Sequence, residues 1–154
     1  GYQAVVLRIL KREPFCEQEA YFGGHFCGYV KIPDTHPFFR KKGMANELES
    51  HCGITFDEVH EDHWIGYDCG HSCDYIPTME HMRKNDPALR KIQELFPLPE
   101  GYEEFALFNP VYRNMQYCID TCIEMIDQLI DISMTTMIEK SSQALDKYNV
   151  HFGD

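Results

Sequence analysis

The sequence predicts an α+β fold, with a small mixed or antiparallel sheet and a long helix from the C-terminal half packed on one face. Three observations predict it. Runs rich in β-branched and aromatic residues crowd the first seventy positions, the clearest helical periodicity comes after residue 110, and the two kinds of segment do not alternate as parallel βαβ units require. A chain of 154 residues is long enough to bury one core and too short for an independent second one, so a single domain over 1–154 is expected.

Residues 2–10 (YQAVVLRIL) and 26–32 (FCGYVKI) read as strands, the second bounded by Gly23-Gly24 and by Pro33. The segment PDTHPFFRKKGMANELES holds two prolines, a glycine and the basic trio Arg40, Lys41 and Lys42, and reads as an exposed excursion with a short helix near 44–49. ITF (54–56) and HWIGYDC (63–69) are two more strands, joined by the acidic link DEVHED. After Pro77 the pattern turns helical, with Met79, Met82, Leu89, Ile92, Leu95 and Phe96 recurring around Asp86-Pro87. Pro87 suits the first turn of a second helix capped by Asp86 or Asn85. PLPEGYEEF is a loop. The strongest helix covers 111–131, where Met115, Cys118, Ile119, Cys122, Ile126, Leu129 and Ile130 share one face and Asp120, Glu124, Asp127 and Asp131 lie elsewhere. An amphipathic piece, Met134 to Tyr148, continues it as a C-terminal helix that frays at HFGD.

Lysine plus arginine number 14 and aspartate plus glutamate 25, a formal charge of −11. Such a balance repels nucleic-acid phosphates and is drawn to basic surfaces, among them those of proteins that handle nucleic acid. Direct DNA or RNA binding is disfavoured, and the plainer reading of the acidity is solubility. No run approaches the roughly 20 apolar residues that cross a bilayer. AVVLRIL is short, is broken by Arg8 and leads into KREP without a cleavage site, so no export is expected and a cytoplasmic location follows. The seven cysteines (16, 27, 52, 69, 73, 118 and 122) are odd in number, so they cannot all pair within the chain, and reduced thiols are expected in that compartment.

Seven of the eight histidines fall between residues 25 and 81, together with Cys27, Cys52, Cys69 and Cys73. Imidazole nitrogen, thiolate sulfur and carboxylate oxygen are the donors that zinc prefers, commonly four of them in a tetrahedron. The tightest unit is Asp68-Cys69-Gly70-His71-Ser72-Cys73-Asp74. Asp68 and Cys69, at a strand end, face opposite sides. A bend at Gly70 lets His71 fold back toward Asp68, and Asp74 is placed to ligate or to orient an imidazole. His51 joins them if the strand ITF neighbours 63–69. The expected metal ligands are therefore His51, Asp68, His71 and Asp74, with zinc as the ion. A rival set is Cys69, His71 and Cys73 with His51 or Cys27, although CxHxC is tighter than the usual CxxC knuckle and no second CxxC occurs. The competing bland reading makes these residues polar strand ends, small buried thiols and solvated histidines.

Cys52, Cys69 or Cys73 with His51 or His71 would be needed for a thiol nucleophile, but adjacency in sequence is not the geometry of a Cys-His dyad. GHSCD is not the GxSxG elbow, and neither GGH nor PEG fits a phosphate loop. Cys118 and Cys122, four apart on the apolar helix face, are expected to pack in the core.

GGHFCGYVKIP (23–33), HCGITF (51–56) and WIGYDCGHSCD (64–74) resemble a family of small phage and bacterial proteins of uncertain function whose members carry GHxCGYV, HGGxTF and WxGFDxxHxGD. The resemblance spans about residues 23–74, with a looser match of the helix near 112–130. It places the family's polar residues on His25, Cys27, His51, Asp68, His71 and Asp74. The chain departs from the pattern at Cys52 and Cys73, where the family has glycine, and at Tyr67 in place of phenylalanine. The resemblance implies a niche similar in kind to that of the anti-CRISPR proteins, among which a zinc-binding type II-A inhibitor of Cas9 is known, and hence a location in the host cytoplasm.

Two functions are therefore expected to compete. In the first, a closed metal site stiffens the strand ends of an inhibitor whose acidic face (Glu47, Glu49, Asp57, Glu58, Glu61 and Asp62) blocks a basic protein partner, possible Cas9 contact included, without nucleic acid or membrane contact. In the second, three protein ligands leave a position for a zinc-activated water, with Asp57 or Glu58 as base in a metal-dependent hydrolase. Coordination number separates them. An accessory domain without metal is the third possibility.

Overall fold

The β-branched and aromatic runs of the first half fold into one sheet. The computed structural model describes residues 1–15, 18–78 and 110–149, together with Asn85, Pro87, Lys91, Glu94 and Leu95. Its strands are β1 (Gln3–Phe15), β2 (Gln18–Ile32), β3 (Phe56–Val59) and β4 (His63–Asp68). They form a four-stranded antiparallel sheet in the order β1-β2-β4-β3, against which one long helix, α1 (Met115–Asn149), packs. The predicted α+β class holds.

Several boundaries differ from expectation, each for a local reason. β1 runs on past Leu10 through the charged KRE, and β2 begins at Gln18, so Gly23-Gly24 lies inside the strand rather than before it. Gly24 sits at φ +95, and a Cβ there would meet Thr78 Oγ1 at 2.5 Å. Only glycine fits that left-handed kink. β3 is FDEV, not ITF: Phe56↔Gly66 and Val59↔His63 are the ends of its register with β4, and the supposed acidic link supplies most of the strand. Asp57 turns inward there, which hides the strand from a pattern reading.

The excursion after Pro33 contains a short 3-10 helix, Met44–Glu47, close to the predicted one. It is not merely exposed, because His36, Phe38, Ala45 and Leu48 are buried. The neutral His36 ring ties it down: Nδ1 accepts the Phe38 N–H at 3.0 Å and Nε2–H donates to the Leu129 carbonyl at 2.8 Å. A second anchor is the fully buried His63. Its Nδ1 accepts the Arg40 N–H at 3.2 Å, so the proton sits on Nε2 and is donated to Asp57 Oδ1 at 2.8 Å, while Asp57 Oδ2 accepts the Gly43 N–H at 2.6 Å.

The pieces predicted as 111–131 and 134–148 are one unbroken helix of 35 residues, about 52 Å long. Asn114 caps it, its Oδ1 accepting the Tyr117 N–H at 2.9 Å. The buried line is Cys118, Thr121, Cys122, Met125 and Leu129, whereas Met115, Ile119 and Ile130 are exposed. The inward face is thus rotated and narrower than the sequence pattern suggests. Beyond Leu129 no described side chain of the helix is buried. Asn85, Pro87, Lys91, Glu94 and Leu95 are helical, so Asn85 is not a cap. Met79, Met82, Asp86, Leu89, Ile92 and Phe96, the loop PLPEGYEEF and the terminal HFGD lie outside the described residues.

The chain divides into two compact units, one of Gly1–Val5, Tyr29–Tyr67 and Asp120–Asp154, the other of Val6–Gly28 and Asp68–Ile119. In the first, Val30, Ile32, Ile65, Tyr67, Cys122, Met125 and Leu129 make the core, and the Tyr67 hydroxyl lies 4.0 Å from Cys122 Sγ. In the second, Phe26, Cys27, Cys69, Ile76 and Cys118 are buried, with Cys69 Sγ 3.6 Å from Cys118 Sγ. Among the described residues no helix is long and apolar enough to cross a membrane.

Candidate metal centre

The turn after β4 carries most of the predicted chemistry. Cys69 ends the strand pairing, its N–H donating to the Phe26 carbonyl at 2.9 Å, and its side chain points into the core as the alternation requires. Asp68 faces the other way. Its Oδ1 accepts the Gly70 N–H at 2.9 Å, closing a tight Asx turn that swings His71 back over the strand end. His71 and Asp74 then close on each other. The His71 N–H donates to Asp74 Oδ2 at 3.0 Å and the Asp74 N–H to the His71 carbonyl at 2.9 Å. Around the ring, His71 Nδ1 lies 3.8 Å from Asp68 Oδ1 and 3.6 Å from Asp74 Oδ2.

Asp74 is held from behind as well. A bridge pairs Asp74 with Val111, reinforced by Val111 N–H to the Cys73 carbonyl (3.0 Å) and Tyr75 N–H to the Val111 carbonyl (3.1 Å). That zipper sets Arg113 beside the carboxylate, Nε 3.4 Å from Asp74 Oδ1, with its guanidinium 4.6 Å above the Tyr117 ring. The Asp74 side chain is only 1% exposed.

His25, the histidine of the GGHFCGYV stretch, reaches the same turn. A Cβ on Gly70 would lie 3.4 Å from His25 Cε1 and Nε2 and 3.0 Å from Asp68 Oδ1, so imidazole and carboxylate converge where Gly70 lacks a side chain. His25 Nδ1 is buried and makes no hydrogen bond. Leaving such a nitrogen unsatisfied costs about 1–3 kcal/mol, and a bound cation or its ligand shell would remove that cost.

His51 occupies the turn before β3. It is buried, edge-on to the Tyr67 ring at 6.3 Å, and its Nε2 is 3.9 Å from Cys52 Sγ. The expected adjacency of this segment to β4 is present, since Thr55 N–H donates to the Gly66 carbonyl at 2.9 Å just before the β3–β4 ladder. Cys52 adopts φ +56, a left-handed conformation that glycine favours, and stays exposed.

Among the described residues, His51 and Cys52 in the first unit and His71, Cys73 and Asp74 in the second are donors that could hold a metal ion. Of the expected ligands, His51, His71 and Asp74 are among these donors. Asp68 is not, its Oδ1 being engaged by the Gly70 N–H. Cys52, one of the thiols clustered with the histidines in the sequence but in neither expected ligand set, has its Sγ 3.9 Å from His51 Nε2. In the rival set, Cys73 is present, but Cys69 is not: hydrogen bonding to the Cys118 thiol, then burial, pushes its thiol far above the ordinary range, away from the thiolate a metal requires. Cys27 is buried in the core of the second unit. Cys118 and Cys122 pack in the core as expected.

The donors present are nitrogen and sulfur with carboxylate oxygen, a mixture that suits a borderline-soft divalent ion better than a hard, all-oxygen one. The acidic residues near the sheet are less available than their sequence suggested. Asp57 has both oxygens committed to His63 and Gly43, Glu58 pairs with Lys42 at 3.2 Å and Asp62 with Lys31 at 2.7 Å. Compared with models of protein families, with curated proteins and with solved structures, the chain matches none.

Proposed function

We propose that this chain is an acidic zinc-binding inhibitor that acts by contact with a basic, nucleic-acid-handling protein in the host cytoplasm, in the manner of the type II-A anti-CRISPR proteins that block Cas9. The observation that carries the metal part is the set of imidazole, thiol and carboxylate donors His51, Cys52, His71, Cys73 and Asp74. In this reading His51, Cys52 and His71 hold zinc. When bound, zinc supplies folding free energy rather than reactivity.

The inhibitory part rests on charge and on the resemblance of the three motifs. A net charge of −11 steers the chain toward a basic cleft and raises its association rate at low salt. Glu47, Glu49 and Glu61 are the contacts to test, because reversing Glu58 or Asp62 would also set a lysine against Lys42 or Lys31. The hydrolytic alternative loses Asp57 as its base, since both of its oxygens are already engaged.

Binding of a type II-A Cas9 to the parent and to the Glu47→Lys, Glu49→Lys, Glu61→Lys triple variant, measured across a salt series, tests the reading. The parent should bind with an affinity that falls as salt rises, and the variant should bind at least tenfold more weakly, about 1.4 kcal/mol. No binding by the zinc-loaded parent would overturn the proposal.

A further inference from the structure

We propose that Arg113 is a positioning residue of the metal centre, orienting the His71 imidazole through the Asp74 carboxylate; this rests on the reading of His71 as a ligand. A carboxylate as buried as that of Asp74 is costly unless a cation and hydrogen bonds compensate it. Arg113 supplies the cation to Oδ1, and the His71 N–H supplies a hydrogen bond to Oδ2. The guanidinium is itself steadied over Tyr117, whose N–H is held by the Asn114 cap. A relay of contacts thus runs from the first turn of α1 through Tyr117 and Arg113 to Asp74, and ends 3.6 Å from His71 Nδ1.

That geometry gives Asp74 a role different from ligation. With Oδ1 facing Arg113 and Oδ2 3.6 Å from His71 Nδ1, just beyond hydrogen-bond distance, the negative carboxylate favours the tautomer with the proton on Nδ1, which leaves Nε2 as the nitrogen that binds metal. Carboxylate-oriented histidines of this kind lose 10–100-fold in metal affinity when the orienting group is removed. Arg113 keeps the orienting group in place and charge-balanced, so its loss should be felt at the metal through Asp74.

The test compares the parent, Arg113→Ala, Arg113→Lys and Tyr117→Leu by zinc titration against a chromophoric chelator and by the visible spectrum of the Co(II) forms. Arg113→Ala should bind zinc roughly 10–100-fold more weakly with an altered Co(II) spectrum, and Arg113→Lys should recover part of the loss by restoring the charge. Tyr117→Leu, which removes the stacking and leaves the Arg113–Asp74 pair, should show a smaller loss and serves if Arg113→Ala does not fold. Parent-like affinity and spectrum in Arg113→Ala and Tyr117→Leu would overturn the inference while leaving the metal reading intact. A parent that takes up neither ion would overturn both.

Discussion

His71→Ala separates a ligand from a merely well-packed histidine. The side chain is 29% exposed and sits on a turn, so its truncation should cost the metal-free protein no more than about 1 kcal/mol. The zinc-loaded protein is different. A ligand that binds only the folded state at a hundred times its dissociation constant stabilises it by about 2.7 kcal/mol. For a chain of this size, 1 kcal/mol moves the melting temperature by about 2–4 °C, so zinc should raise the Tm of the parent by about 5–11 °C. In His71→Ala that rise should nearly vanish while the metal-free Tm stays close to the parent's. Thermal melts followed by circular dichroism, with and without zinc, read both numbers. An equal zinc-dependent rise in parent and variant would refute the assignment of His71, and a large drop without zinc would show that its role is structural.

Two further predictions concern the anchors of the 34–43 segment. Burial lowers the pKa of His36 from its ordinary 6.5, so the folded state takes up its proton less readily than the unfolded chain, and stability should fall as pH drops through 6.5 and below. His36→Gln should flatten this part of a urea-denaturation series measured from pH 7.5 to 5, and an unchanged pH dependence would count against the buried neutral ring. Asp57→Ala strands the buried His63 Nε2–H and the Gly43 N–H, and should cost about 2–4 kcal/mol, roughly 5–15 °C in Tm. A loss below about 2 °C would show that water replaces the carboxylate at little cost.

What the sequence made legible follows from how local each signal is. β4 was readable because His63, Ile65 and Tyr67 all face a core and the run is nearly continuous, and the long helix because its period persists over five turns. β3 starts two residues later than the predicted ITF strand because Asp57 and Glu58 give its body the look of a loop, and the reason Asp57 faces inward is His63, a partner found only in the fold. The same holds for His36, whose acceptor Leu129 lies 93 residues away. At the candidate site, the turn from Asp68 to Asp74 stood out by composition, and the bend at Gly70 could be argued from residue types. Which donors approach one another could not. Asp68 turns its oxygen back to Gly70, Cys69 turns inward to Cys118, and Cys52 enters beside His51 through a left-handed backbone that sequence patterns do not reveal. Arg113 carried no signal at all, since its place beside Asp74 depends on the pairing of Val111 with that strand end.

Metal content is the most direct measurement. Protein purified without added metal and desalted should carry about one zinc ion per chain by elemental analysis, and should lose it in His51→Ala and His71→Ala variants that remain folded. Background metal in the parent, with no uptake on titration with zinc, would contradict a metal-held fold and leave these histidines as packing residues.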